Sequence, residues 1–394
     1  MNARKFYLFN PDHDLALANG DENFKSPRLA CVFRSDLSYL PMWYAEEGGL
    51  VFADLPDVQW VKNMQTNFPQ LATISVESQP DFSTLESIQL WGWNKAICKF
   101  LSIHGVDRQL LPDTGQLTEI RRLSHRKTAI TAIKYLRDDD DLAVFLPQAA
   151  QQLSAEEVES FARQYNQTVF KAPWSGSGRG LFWFNGSLSK NALGWCRNVV
   201  EKQGCVIGEQ VYEKFQDFAM EFKCSEGMVS FTGYSLFETE SQGIYKSNVL
   251  MSDEAILKFI TRLIPQNIIL KIQYRLLLFI EKEIAPFYSG YLGVDMFIYK
   301  MDNAFWLHPC VEINLRMTMG LVAGKFYNQF VHPEHSGHFY VDYDPYSGKL
   351  FHDHIQRKKT MPLETENGQI TRGYIALSPI QKSSHYRIRV EIEP

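Results

Sequence analysis

Tyr291-Leu292-Gly293-Val294-Asp295-Met296-Phe297-Ile298-Tyr299, a turn at Lys300 to Asn303, and then Phe305 to Arg316 read as two strands of a hairpin. In Val311-Glu312-Ile313-Asn314-Leu315-Arg316 the polar residues fall at every second place. Side chains alternate faces along a strand, so Glu312, Asn314 and Arg316 share one face while Ile313 and Leu315 pack on the other. Folding the hairpin back brings Asp295 into the neighbourhood of Glu312. Two carboxylates and a carboxamide then converge, an all-oxygen set suited to Mg²⁺ held together with substrate phosphates. A polar strand face turned to water is the bland alternative. It fits poorly, because the run continues into Met317-Thr318-Met319-Gly320 and a charged row in apolar surroundings needs partners.

A second element lies upstream. Gln167 to Lys171 reads as a strand that enters Ala172-Pro173-Trp174-Ser175-Gly176-Ser177-Gly178-Arg179-Gly180, with another strand-like run from Leu181 to Phe184. Glycines at every second place let the backbone approach a polyanion and aim its N–H groups at phosphate oxygens. Lys171 adds a point charge, and Ser175 and Ser177 add donors. The spacing is neither a P-loop nor a dinucleotide fingerprint, and a plain strand-to-strand hairpin competes with the phosphate reading.

The first hundred residues alternate strands (Lys5 to Phe9, Gly49 to Ala53, Ala72 to Val76, Ile88 to Trp93) with helices (Ser38 to Glu46, Val58 to Asn67, Asn94 to His104). That order implies a parallel, Rossmann-like open sheet, whose ligands sit beyond the carboxyl ends of the strands. Asn10, Asp12, His13 and Asp14 follow the first strand and are candidates for substrate contact. The chain has 394 residues, 45% apolar and 22% charged, with 40 basic against 45 acidic residues and a net charge of -5. This suits a folded, multi-domain protein and argues against nucleic-acid or anionic-membrane partners. The most apolar stretch, Asn267 to Ile284, is interrupted by Lys271, Arg275, Glu281, Lys282 and Glu283 and reads as a buried amphipathic helix. Six scattered cysteines without CxxC spacing and no secretory signal favour a reduced, cytoplasmic setting. His332, His335, His338, His352 and His354 resemble a zinc set, but in a loop-like context without cysteine. The basic helix around Arg121 to Lys134 reads as a solvated face.

Taken together, the Lys171 to Gly180 turn, the stretch Glu209-Gln210-Val211-Tyr212, and Asp295 with Glu312-x-Asn314 resemble the ATP-grasp superfamily of carboxylate–amine and carboxylate–thiol ligases. The resemblance covers roughly residues 115 to 325. It implies an α/β and α+β chain: a Rossmann-like domain (1–114), an N-terminal lid subdomain (115–205), a C-terminal subdomain with the metal site (206–330) and an extension of unknown role (331–394).

By this resemblance Lys127 and Lys171 would be the nucleotide lysines, with the adjacent Arg126 as a competitor for the first. Ser175, Gly176, Ser177 and Gly178 would cradle the phosphates, and Glu209, Gln210, Val211 and Tyr212 would receive adenine. Asp217 would accept from the ribose hydroxyls, with Glu213 as a competitor. Asp295, Glu312 and Asn314 would hold Mg²⁺ (or Mn²⁺), and Arg316 and Arg179 would steady the transferred phosphate. The implied reaction activates a small-molecule or peptide carboxylate as an acyl phosphate, which an amine or similar nucleophile then attacks. The same fold could instead serve a small-molecule kinase or a nucleotide-binding protein without turnover. The identities of the substrates and the oligomeric state are left open by the sequence.

Overall fold

The computed structural model describes residues 4–176, 180–186, 189–240 and 243–393. Its first sheet is parallel: β1 (Arg4–Leu8), β2 (Leu50–Phe52), β3 (Ser75–Glu77) and β4 (Leu85–Leu90), in the order β3-β2-β1-β4. The helices Val58–Asn67 and Lys95–Ile103 lie where the sequence puts them, each started by an Asx cap: Asp57 accepts from Trp60 N–H, and Asn94 from Ile97 N–H. The expected helix from Ser38 to Glu46 is instead a helix at Arg28–Asp36 followed by a single 3₁₀ turn at Leu40–Trp43, with Pro41 near its start.

A small antiparallel sheet follows: β5 (Gln151–Leu153), β6 (Gln167–Lys171), β7 (Leu181–Asn185) and β8 (Val206–Gln210), ordered β5-β8-β6-β7. β8 pairs with both β5 and β6, so the expected division at 205/206 falls inside this structure, and the small sheet extends to Gln210. Within residues 115–143, Ile130 clusters with Cys205 and with Ile207 of the small sheet, but most of the segment packs elsewhere. Ile120, Leu123, Ala132, Ile133 and Leu136 pack against the large sheet instead.

The large sheet contains β9 (Glu213–Ser225), β10 (Met228–Thr239), β11 (Tyr245–Leu250), β12 (Gly290–Met301), β13 (Ala304–Asn314), β14 (Gly337–Tyr343), β15 (Glu364–Glu366), β16 (Gln369–Ala376) and β17 (Tyr386–Ile392). Its order is β13-β12-β9-β10-β11-β14-β17-β16-β15. The stretch 331–394, read from sequence as an extension, thus supplies four strands to the same sheet. Phe339, Ile388, Val390 and Ile392 share a core with Phe9, Trp43 and Phe68 of the first domain. The Trp43 indole N–H donates to the Leu377 carbonyl (2.8 Å) across that contact.

The β12–β13 hairpin closes on Asp302 and Asn303, both with positive φ (50° and 62°) between the paired residues Met301 and Ala304. Asp and Asn tolerate this left-handed conformation better than other non-glycine residues, and it matches the twist of a two-residue hairpin. One face of the hairpin, carrying Val294, Met296, Ile298, Leu307 and Ile313, is buried with the helices Lys127–Arg137 and Gln266–Glu283. The alternate residues are left to line the site.

Candidate functional site

In the register of the hairpin, Asp295 lies directly opposite Glu312, and Gly293 opposite Asn314. The Asn314 amide donates to Asp295 Oδ2 (3.0 Å). Desolvation and then the facing Glu312 push the Asp295 carboxyl up to about 7. Glu312 is already paired, with Arg126 Nη2 at 3.0 Å. Among the described residues the neutral Asn314 amide is the one hydrogen-bond partner of Asp295. A dication between the two carboxylates would supply the charge that Asp295 lacks, so the donor set fits Mg²⁺. Among the described residues no three His, Cys, Asp or Glu side chains cluster as a metal site; the set is two carboxylates and a carboxamide.

Arg126, not Lys127, reaches this cleft. It is buried, donating from Nε to the Ala172 carbonyl (3.1 Å) and from Nη2 to Ser175 Oγ (3.2 Å) as well as pairing with Glu312. Its own N–H is fixed on the Pro173 carbonyl (3.1 Å). Lys127 is exposed, and its side chain lines a different cavity. Ser175 is buried at the cleft, and Gly176 passes so near Asp14 that an added Cβ would lie 2.2 Å from Asp14 Oδ2. Ser177, Gly178 and Arg179 lie outside the described residues.

Arg316 turns to the first domain. Its Nε bonds both oxygens of Asp14 (3.1 Å each) and Nη2 adds a 3.0 Å contact. Of the four first-domain candidates only Asp14 reaches the cleft. Asn10 is bonded both ways to Gly92, Asp12 accepts from Ser26, and buried His13 lies 3.3 Å from Asn94. Burial pushes His13 down to about 4.

Lys171 is buried and paired with Glu209, which is also 2.6 Å from His308 Nε2. Burial alone would raise the Glu209 carboxyl, but Lys171 and His308 outweigh it and hold Glu209 well below the usual carboxylate range. His308 is stacked on Phe297 (4.7 Å), and Tyr212 packs on Tyr299 (4.5 Å) and Phe297 (5.9 Å). An aromatic floor therefore lies beneath the end of β8. Val211 N–H is taken by the Gln167 carbonyl (3.1 Å), and Gln210 is exposed. Asp217 is held by Lys214 (2.9 Å) and Thr239 (2.7 Å), while Glu213 is exposed.

Two residues absent from the sequence reading belong here. His308 stands four places before Glu312 and, across the irregular register, faces Phe297 as Glu312 faces Asp295. Glu221, 2% exposed and paired in register with Gly293, lies on the same face as Asp295. It accepts from Thr318 Oγ1 (2.8 Å), and desolvation pushes its carboxyl up to about 8. The five tail histidines do not converge: His338 stacks on Tyr340, His354 bonds the Tyr374 hydroxyl (2.8 Å), and His332 touches only His335 among them.

No family model and no curated protein matches the sequence. The solved structures do give matches. N5-carboxyaminoimidazole synthetase from Staphylococcus aureus, complexed with ADP, is 10% identical, with 100% of this chain and 94% of that chain covered at a TM-score of 0.51. The biotin carboxylase–β,γ-ATP complex from Campylobacter jejuni is 12% identical, covering 98% of this chain and 87% of that one, also at 0.51. The chain has the ATP-grasp fold. Arg126 links the two sheets, bonding Ala172 and Ser175 beyond the end of β6 and Glu312 on β13. No helix among the described residues is long and apolar enough to cross a membrane.

Proposed function

We propose that the protein is an ATP- and Mg²⁺-dependent ligase that activates a substrate carboxylate as an acyl phosphate for attack by an amine or similar nucleophile. The observation that carries this reading is the opposition of Asp295 and Glu312 across the hairpin, flanked by Arg126 and Arg316. Such a cleft handles a phosphoryl group by position and charge, without a side-chain nucleophile. Mg²⁺ on Asp295, Glu312 and Asn314 would neutralise phosphate oxygens as charge shifts between them. Lys171, Ser175 and Gly176 border the phosphates, and Ser177, Gly178 and Arg179 are kept as sequence candidates for the same role. Arg126 takes the cationic role for which Lys127 is the sequence candidate. The Glu209 to Tyr212 segment, over the Phe297–Tyr299–His308 floor, receives adenine, and Asp217 receives ribose. Arg316, oriented by Asp14, faces the acceptor, a small-molecule or peptide carboxylate. We place the protein in the cytoplasm.

The test is thermal unfolding with a non-hydrolysable ATP analogue, with and without Mg²⁺, followed by phosphate release with paired carboxylates and amines. A ligand at ~100 times its dissociation constant adds about 2.7 kcal/mol of stability. A Mg²⁺-dependent shift that Glu312→Ala abolishes, with phosphate release requiring both substrates, is expected. Phosphate retained on the acceptor would indicate a kinase, and no shift with any nucleotide would refute the reading.

A further inference from the structure

Trp174 separates the Asp14–Glu312 cleft from a second cavity of about 680 Å³. That volume is within the ~300–1,000 Å³ of ordinary small-molecule sites. The first domain and the helices behind the large sheet meet there. Lys95 comes from the helix Lys95–Ile103, Arg121 and Arg122 from Thr114–Leu123, and Lys127 from Lys127–Arg137. Against these four cations the lining has one carboxylate, Glu283.

The cations differ in how much of their charge is already matched. Arg122 is paired with Glu119 (2.7 Å). Arg121 donates from Nε to the Leu17 carbonyl (2.7 Å), and its guanidinium lies 4.0 Å over the Trp174 ring. Lys95 and Lys127 have no side-chain hydrogen bond or ion pair among the described residues. The field is visible on the neighbouring His125: burial, then Lys127, Arg121 and Arg126, push its imidazole down to about 4, so it stays neutral among them. A concave lining with four cations against one carboxylate concentrates anions.

We propose that this cavity is a second ligand site, taking a small polyanion whose clustered oxygens bridge Lys95, Lys127 and the two arginines. The chemistry suits a phosphate ester or a polycarboxylate. The site is distinct from the carboxylate pair and stands whether or not the nucleotide reading does. Its floor is shared with the catalytic cleft, because the Trp174 indole N–H is bonded to the Arg121 carbonyl (2.8 Å) and the next residue is Ser175.

The experiment is isothermal titration calorimetry of the full chain in metal-free, low-salt buffer. Pyrophosphate and citrate are the two probes, and a non-hydrolysable ATP analogue is titrated separately in the same buffer with Mg²⁺ added. Lys95→Glu and Arg122→Glu, both at solvent-accessible positions, are the variants. Each charge reversal should weaken probe binding about tenfold while leaving analogue binding unchanged. Binding of pyrophosphate alone assigns phosphate esters, and of citrate alone polycarboxylates. Absence of binding by both probes, or binding indifferent to both reversals, overturns the proposal. Failure of the nucleotide reading has a separate signature: the analogue does not bind, yet the reversals still weaken the probes.

Discussion

Replacing Glu209 by Gln tests whether the buried Lys171–Glu209–His308 cluster is held together by charge. Glu209 is 5% exposed, and the side chains of Lys171 and His308 are 9% and 0% exposed, so water screens these contacts little. Removing one partner of a buried pair costs 3–5 kcal/mol, because the remaining charge is left uncompensated. The Gln carbonyl can still accept from His308, which places the expected loss at the lower end, about 3 kcal/mol. At 2–4 °C per kcal/mol for a unit of 150–250 residues, the melting temperature should fall on the order of 10 °C. The dependence on pH fixes the sign. The Glu209 carboxyl is depressed in the folded state below its ordinary 4.5. Its contribution is therefore fully present above pH 4.5 and is lost as pH falls toward the folded value. The gap between wild type and Glu209→Gln should be widest near neutrality and narrow in acid. Adding Lys171→Met to Glu209→Gln removes the orphaned ammonium and should restore much of the stability, while nucleotide binding should be lost with the Lys171 charge. Calorimetric melts of wild type and the two variants decide the matter. A Glu209→Gln protein as stable as wild type, or a gap that does not change with pH, would refute the reasoning.

Arg126→Lys keeps the charge but loses the fork that spans Ala172, Ser175 and Glu312, so turnover should fall roughly 10²-fold in steady-state assays, with stability less affected. Gly176→Ala should reduce turnover because its Cβ would meet Asp14, whereas Gly194→Ala has open space in a helix and should raise stability by about 0.5–1 kcal/mol in melts. Burial holds His13 neutral, at about 4 against 6.5, so the unfolded chain takes up that proton first. Stability is then full above pH 6.5 and declines as pH drops toward 4, by on the order of 3 kcal/mol. His13→Gln should flatten that slope in melts between pH 7.5 and 4.5.

Patterns that repeat locally were legible in the sequence. The alternation in 311–316 and the turn at 300–303 were enough to bring Asp295 to within a few residues' register of Glu312, and the structure pairs the two directly. Strand 167–171 and helix 58–67 have the expected bounds. What was not legible depends on choices between neighbours or on distant partners. Arg126 and Lys127 are adjacent cations at a helix start, and which one turns inward is decided by the Pro173 carbonyl fixing the backbone there. Asp14 and Arg316 are 302 residues apart, so no local pattern could join them. His308 was hidden by the irregular register between Asp295 and Phe297, which face Glu312 and His308: a spacing of two on one strand matches four on the other. The tail's place in the sheet was not legible because β14 and β17 carry Arg387, Arg389, Asp342 and Glu391, which pair with one another while the alternate residues enter the core.

The shared core of the first domain and the late strands has a consequence for how the chain is made. Trp43, Phe68 and Phe9 leave the ribosome early, but Phe339, Ile388 and Val390, which pack in the same cluster, come much later. At 5–20 residues per second the interval of about three hundred residues lasts tens of seconds. Throughout it the first-made aromatic surface has no permanent cover. Strands β14 to β17 thus act as the closing piece of a domain synthesised well before them, and a nascent chain stalled short of them would be a ready client for a chaperone.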